Sequence, residues 1–148
     1  MPTARLVVAG PADRFGNRLH NPLVEQLTDV GAVYLGAVEE ERLSAVYNLC
    51  DVFVMPTRKD EMFGMAVVEA EACGKPAVCS DLGGLPEVVP NASSLLFPAG
   101  DAGQLARQLL HVLSDRSLCE SLGVAARAKS EDFAWEHIAE CLSTIYAS

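Results

Sequence analysis

Apolar residues cluster in five short runs along the chain, at residues 6–10, 32–36, 51–56, 76–80 and 94–97. The runs are rich in β-branched side chains and are bounded by glycine, proline or aspartate, which predicts five strands. They alternate little between apolar and polar positions. Such continuous apolar runs are typical of parallel strands that are covered on both faces.

Helical spacing of apolar residues fills the intervals between these runs. It predicts helices over 21–30, with Pro22 in the first turn and Gly31 just past the end, over 39–50, and over 63–73, where Gly74 closes the helix. Three more helices are predicted after the last strand, over 101–115, 118–129 and 135–146. We expect Asp101 to cap the first of these. Its inward-facing residues are predicted to be Leu105, Leu109, Leu110, Val112 and Leu113.

Strands that alternate with helices at this spacing predict βα units and a parallel sheet. The fold class is therefore α/β, a single Rossmann-like, doubly wound domain that ends in a group of helices. Sheets of this kind bind ligands at the carboxyl ends of their strands, in the loops that lead into helices. Those loops are where a functional site is expected.

The composition excludes several classes of function. With 20 acidic and 11 basic residues among 148, the formal charge is −9, which argues against a nucleic-acid surface and against docking on anionic lipid. Apolar stretches are far shorter than the roughly 20 residues of a membrane span, and we find no secretion signal at the N-terminus. The five cysteines lack C-x-x-C spacing, so neither a disulfide framework nor a zinc site is predicted. A cytoplasmic protein is the simplest interpretation.

The loop and helix after the third strand carry two carboxylates, Glu61 and Glu69. Glu69 lies in an otherwise apolar helix, where a carboxylate is costly unless it faces water or hydrogen-bond donors, such as the adjacent hydroxyls of a ribose. Gly64 begins the helix, and the unpaired N–H groups there favour an anion such as a diphosphate. In the next loop, Gly83 and Gly84 permit close approach of backbone to a ligand. A nucleotide sugar matches all of these features, although two glutamates at this spacing alone are also common as surface residues.

The run E-M-F-G-M-A-V-V-E at residues 61–69, continued by A-E-A-C-G-K-P-A-V at 70–78, resembles the E-x7-E signature of family-4-type retaining glycosyltransferases of the GT-B fold. Further segments match in the expected order, upstream at 33–38 and 49–56 and downstream at 83–89, 95–101 and 133–136. The resemblance identifies residues 1–148 as part of the C-terminal domain that binds the donor nucleotide sugar. The first strand here resembles the family's second. The family's preceding strand, with its G-R loop and K-G turn, and its N-terminal acceptor domain are not matched.

The resemblance implies a role for each site residue. Glu61 is expected to lie against the donor sugar as the catalytic-site carboxylate, a positioning group rather than a nucleophile, and Glu69 to hold the ribose. Backbone amides of Phe63, Gly64, Met65 and Ala66 would bind sugar hydroxyls or the diphosphate. Further donor contacts are expected at Gly36 and Val38 beside the base and at Arg58, Gly83 and Gly84.

No metal is expected, because the family needs none and the chain has no Asp-x-Asp motif. The nucleotide sugar, with a UDP, GDP or ADP moiety, is a substrate, so no cofactor is predicted. Glu71 departs from the family's usual apolar residue. Two residues along a helix turn about 200°, so we expect Glu71 to face away from Glu69, at a locally exposed edge. Arg58 and Lys59 are also compatible with a solvated pair in the loop, and Cys79 with packing.

Three functions remain compatible with the sequence. The full E-x7-E pattern favours the donor domain of a metal-independent hexosyltransferase, acting on a glycan, lipid or small-molecule acceptor and inactive without its acceptor domain. A non-catalytic nucleotide-binding or interaction module of the same fold is the second. The third is a fragment of a GT-B sugar-nucleotide epimerase or glycan phosphorylase. A phosphorylase needs a lysine for pyridoxal phosphate, and Lys75 is a poor match for it.

Overall fold

The computed structural model of the protein describes residues 4–11, 22–59, 61–89 and 94–147. The chain divides into two compact units, residues 1–43 and residues 44–148. Helix α2 (Glu40–Leu49) contains the boundary between them.

The first unit holds strand β1 (Val7–Ala9), helix α1 (Pro22–Asp29) and strand β2 (Val33–Gly36). The two strands pair in parallel, with Val7 opposite Val33. Their carboxyl ends are tied together, because the Gly10 N–H donates to the Gly36 carbonyl at 2.8 Å and the Tyr34 hydroxyl donates to the Gly10 carbonyl at 2.8 Å. A left-handed Gly31 follows α1, as the sequence predicted for that helix end.

The second unit is built on a three-stranded parallel sheet in the order β3-β4-β5. Its strands are β3 (Phe53–Met55), β4 (Ala77–Asp81) and β5 (Ser94–Pro98), and its helices are α3 (Met65–Ala72), α4 (Leu85–Val88), α5 (Ala102–Ser114), α6 (Arg116–Ser130) and α7 (Trp135–Tyr146). A short 3-10 turn, Glu131–Phe133, joins α6 to α7. Each strand and each long helix expected from the sequence is present. The predicted α/β class with a parallel sheet is confirmed.

The hydrophobic core of the second unit lies around the central strand β4. Its first four residues are buried, and they pack with apolar side chains of α3 and α4. The fully or nearly fully buried members of this core are Val67, Val68, Ala77, Cys79, Leu85, Val88 and Val89. Because β4 is the middle strand and is covered by helices, the loops at its carboxyl end are held by a rigid support.

The elements differ from the sequence-based expectation at four places. Helix α3 begins at Met65 rather than at residue 63, because Gly64 has a left-handed backbone. Helix α4 was not predicted, since its four residues are too few to show a helical period. Helix α6 begins at Arg116 rather than at residue 118, because Asp115 acts as its cap and accepts a hydrogen bond from the Leu118 N–H at 3.0 Å. Leu110 and Leu113 of α5 are 52% and 38% exposed, so α5 packs through a narrower stripe than predicted.

The largest departure in side-chain burial is Glu71. It faces away from Glu69 on α3, as the helical geometry requires, but it is fully buried, so the expectation of an exposed edge was wrong. The reason is that Glu71 shares the inward side of α3 with Val67 and Val68, which are buried as well.

Among the residues that the structure describes, no helix is both long and apolar enough to cross a membrane.

Candidate functional site

Residues 61–64, the Glu61 loop, lie between β3 and helix α3 and lead directly into α3. The loop ends at Gly64, whose backbone is left-handed with φ 87° and ψ 47°. A Cβ atom on Gly64 would lie 2.6 Å from Leu85 Cδ2, so both the conformation and the space require glycine. Helix α3 therefore begins at a residue that has no side chain to cap it, and the first N–H groups of a helix have no partner within the helix.

Gly83 and Gly84, in the turn before α4, hold the Glu61 loop in place. The Gly84 N–H donates to the Glu61 carbonyl at 2.8 Å. A Cβ on Gly83 would overlap the Glu61 backbone, and one on Gly84 would overlap the Met62 carbonyl. The close approach that these glycines permit is therefore, within this structure, an approach of the chain to itself. Their predicted contact with a ligand stays a prediction.

Glu69 lies on α3, one helical turn past the residues that begin the helix. Its Oε2 accepts a hydrogen bond of 2.7 Å from the hydroxyl of Tyr47. Tyr47 is on α2, and its ring packs edge-on against Phe53 of β3, with 5.7 Å between ring centroids and an interplanar angle of 67°. The half-buried carboxylate thus meets a donor, as its place in an apolar helix required.

Tyr47 was not predicted as a site residue. From the sequence it belongs only to the apolar stripe of α2, where a tyrosine at helical spacing is ordinarily a packing residue. The hydrogen bond joins residues 22 positions apart, on two different helices. One signal was available, since a carboxylate in an apolar helix calls for a donor, and tyrosine is an amphipathic residue that supplies one.

The pKa of the Tyr47 hydroxyl is raised, first by burial and next by its hydrogen bond to the Glu69 carboxylate. Both effects disfavour the phenolate. The hydroxyl therefore keeps its proton throughout the physiological range and acts as the donor in this pair.

The apolar residues of the Glu61 loop and the first turn of α3 are unusually open to solvent. Met62 is 91% exposed and Met65 58%, while Ala66 is half-buried. Phe63 is exposed as well, but its ring packs edge-on against Phe133, with centroids 5.5 Å apart. These side chains face solvent on either side of Gly64, which is itself buried.

Among the residues described, no hydrogen bond or ion pair joins the remaining predicted site residues, Arg58, Gly36 and Val38, to Glu61 or Glu69. Arg58 is exposed, just past the carboxyl end of β3. Gly36 and Val38 belong to the unit of residues 1–43, where Gly36 ends β2 with φ 70° and Val38 is half-buried. Contacts within the second unit bring together Glu61, Gly64, Gly83 and Gly84, and a hydrogen bond joins Glu69 to Tyr47.

Cys79 is buried on β4, as expected of a packing residue. Burial raises the pKa of its thiol to about 12, and the negative charge of Glu71 adds to the effect. The thiol is therefore protonated at neutral pH and is a poor nucleophile.

The chain can be compared with known protein families. Residues 1–129 match the family described as glycosyl transferases group 1. The chain belongs to this family.

Several curated glycosyltransferases are similar to most of the chain. It is 32% identical over 139 residues to the sulfoquinovosyl transferase of Arabidopsis thaliana, covering 91% of this chain and 26% of that protein. It is 33% identical over 150 residues to the D-inositol 3-phosphate glycosyltransferase of Nocardia farcinica, covering 97% of this chain and 32% of that protein. The chain thus spans about a quarter to a third of the length of these relatives.

Solved structures of glycosyltransferases share the fold. The chain matches sucrose-phosphate synthase of Thermosynechococcus elongatus with a TM-score of 0.85 at 28% identity, over 99% of this chain and 39% of the other. It matches the Anabaena protein HepE in complex with UDP-glucose with a TM-score of 0.81 at 27% identity, over 97% and 42% of the two chains. The resemblance to GT-B glycosyltransferases inferred from the sequence is confirmed.

Proposed function

We propose that this chain is the donor-binding domain of a retaining, metal-independent glycosyltransferase that transfers a hexose from a nucleoside diphosphate sugar to a glycan, lipid or small-molecule acceptor. Membership of the family supports sugar transfer from a nucleotide sugar. A similar structure contains UDP-glucose, which supports this class of donor. Retention, independence from metals and the roles of single residues are part of the proposal.

The main support for the proposal is the Glu69 carboxylate on helix α3. Its Oε2 lies 2.7 Å from the Tyr47 hydroxyl, which donates a hydrogen bond to it. A carboxylate has about four acceptor positions, and Tyr47 uses one of them. The others are suited to the paired hydroxyls of a ribose, which donate two hydrogen bonds at a short separation. The sequence pattern alone gave Glu69 this role, and the geometry supports it.

The start of α3 supplies the second half of the donor site. Gly64 leaves the first N–H groups of the helix without a side-chain cap of its own, and the helix dipole favours negative charge there. We assign the diphosphate to the main-chain N–H groups of Met65 and Ala66. In this arrangement protein amides, rather than a metal ion, neutralise the charge of the leaving group.

Glu61 is proposed to contact the hexose and to position it for transfer. It lies before Gly64 in the Glu61 loop, and its backbone is fixed by Gly84. This main-chain hydrogen bond fixes the backbone that carries the side chain, and a positioning group requires a rigid support of this kind. Transfer itself is proposed to need an acceptor-binding domain in addition to residues 1–148, and this chain alone is expected to show no turnover.

The test is ligand-observed NMR with UDP, GDP and ADP and their glucose or mannose derivatives, on wild type, Glu69→Ala and Glu140→Ala. Glu140 is an exposed carboxylate on α7, so its removal makes the same change in charge outside the proposed site. Wild type and Glu140→Ala should show saturation transfer to the ribose protons of one nucleotide, and Glu69→Ala should lose it. The signal should survive EDTA.

Two results would contradict the proposal. Binding that Glu69→Ala leaves unchanged would remove the ribose role of Glu69, and binding abolished by EDTA would remove metal independence. Absence of any nucleotide signal from wild type would count against the donor-binding function itself.

A further inference from the structure

Two contacts hold Tyr47 independently of its hydroxyl, and a third holds its neighbour Asn48. Its ring packs edge-on against Phe53 of β3. Its carbonyl accepts a hydrogen bond from the Cys50 thiol at 3.1 Å, and the neighbouring Asn48 carbonyl accepts one from Lys75 Nζ at 3.4 Å. The last turn of α2 is therefore anchored at both its side chain and its main chain. The position of the Tyr47 hydroxyl is therefore restrained by contacts other than its own hydrogen bond.

Among the residues that the structure describes, the Glu69 carboxylate is held by the Tyr47 hydroxyl alone. A glutamate side chain has three rotatable bonds, and ordering it is opposed by a large loss of conformational entropy. The hydrogen bond of 2.7 Å from Tyr47 holds one oxygen, Oε2, and so restricts the orientations open to the carboxylate. Glu69 is thus ordered before any ligand arrives, and a ligand that binds it does not have to order it.

We infer that Tyr47 is a positioning residue for the nucleotide ribose, which sets the orientation of the Glu69 carboxylate and so selects donors that carry both ribose hydroxyls. The inference rests on the proposed donor-binding function and extends it to specificity for the sugar of the nucleotide. Tyr47 touches the carboxylate and acts through it.

A positioning role and a structural role make different predictions for the same substitution. If Tyr47 orients Glu69 toward the ribose, its hydroxyl matters only for ligands that use Glu69. If Tyr47 serves only packing, Tyr47→Phe keeps the ring against Phe53 and any loss of binding is shared by all ligands. A ligand without ribose hydroxyls therefore separates the two.

The experiment measures dissociation constants for the nucleoside diphosphate that wild type binds among UDP, GDP and ADP, and for its 2′,3′-dideoxy analogue. The proteins are wild type, Tyr47→Phe, Glu69→Gln and the double variant. Tyr34→Phe and its combination with Glu69→Gln are the matched control, because the Tyr34 hydroxyl donates to the Gly10 carbonyl at 2.8 Å rather than to a carboxylate. Thermal unfolding of each variant verifies that it is folded.

We expect Tyr47→Phe to weaken binding of the ribonucleotide about fivefold, the usual effect of one lost hydrogen bond, and to change binding of the dideoxy analogue less than about twofold. In the Glu69→Gln background the effect of Tyr47→Phe should largely disappear, since the two residues act as one unit. Tyr34→Phe and Glu69→Gln should combine additively.

Equal weakening of both ligands by Tyr47→Phe, or full additivity of Tyr47→Phe with Glu69→Gln, would overturn the positioning role while leaving donor binding intact. Failure of wild type to bind any of the three nucleotides would overturn the proposed function, and the positioning role with it. The two failures are therefore told apart by the wild-type measurement.

Discussion

Helices α3 and α5 begin in opposite ways. At the start of α5, Asp101 Oδ1 accepts a hydrogen bond from the Gln104 N–H at 2.9 Å, so the helix carries its own cap. At the start of α3 the equivalent position is Gly64, in a left-handed conformation that offers no side chain. The next helix, α6, is also capped by an aspartate, because Asp115 Oδ1 accepts a hydrogen bond from the Leu118 N–H.

The two helices also differ in what surrounds them. Helix α3 buries Val67, Val68, Ala70 and Glu71, whereas in α5 only Val112 is buried among the residues described. A buried helix with an uncapped start is fixed by packing, so its first N–H groups need no internal partner to hold it. An exposed helix such as α5 gains more from a cap. Under the proposed function, the capped start of α5 contributes stability and the uncapped start of α3 binds the ligand.

The largest expected effect comes from adding one methyl group at the start of α3. Gly64→Ala forces a left-handed conformation on alanine and places its Cβ 2.6 Å from Leu85 Cδ2. We expect a loss of about 3 kcal/mol in the free energy of unfolding, from backbone strain and overpacking together. Urea denaturation measures it, and nucleotide binding should fall as the start of α3 shifts.

Gly103→Ala is the matched substitution in the first turn of α5. A Cβ there would lie 3.3 Å from Asp101 Oδ1, in a helical backbone that favours alanine. Its free energy of unfolding should change by less than about 1 kcal/mol. Similar losses for the two variants would show that the starts of α3 and α5 do not differ as described.

The two helices also differ in how much of them could be predicted from the sequence. The cap at Asp101 was predicted and is confirmed, because a cap depends on residues three positions apart. The parallel strands and long helices followed in the same way from local periodicity. The burial of Glu71 was not predicted, since the face opposite Glu69 could be assigned but not what covers it.

The same limit applies at the candidate site. The roles of Glu61, Glu69 and Gly64 came from a pattern within nine residues, and remain predictions as ligand contacts. Tyr47 and the backbone contact of Gly84 with Glu61 join segments more than 20 residues apart. Neither contact produces a pattern of neighbouring residues that could be recognised in the sequence. Gly83 and Gly84 were recognised as close-approach residues, but only the structure identifies the Glu61 loop as what approaches them.

The core beneath α3 gives the next prediction, through Cys79. Because burial raises the pKa of its thiol from 9.0 to about 12, the folded state binds more protons than the unfolded state between these values. The free energy of unfolding should therefore fall as pH rises above 9, by up to about 1.4 kcal/mol per pH unit from this group. Below pH 9 its contribution is complete.

Denaturant unfolding of wild type and Cys79→Ala between pH 7 and 11 measures this contribution. Cys79→Ala should lower stability at pH 7, through lost packing, but should lose less on going to pH 11. Cys141→Ala, which removes an exposed thiol of α7, is the control and should follow wild type. A Cys79→Ala curve parallel to that of wild type would show that the alkaline loss has another origin, such as Tyr47.

The smallest expected effect tests whether the cap of α5 is independent of the ligand. Asp101→Ala should cost about 1 kcal/mol, and Asp101→Ser, which keeps a capping oxygen, should recover most of it. The loss should be the same with and without the nucleoside diphosphate that wild type binds, because α5 satisfies its own first turn. At α3 the ligand itself is proposed to supply the missing acceptor, so saturating nucleotide should raise the unfolding free energy of wild type and Asp101→Ala by equal amounts. An unequal increment, measured by thermal shift over a nucleotide titration, would mean that the two helix starts are coupled and that capping and ligand binding are not separated in this fold.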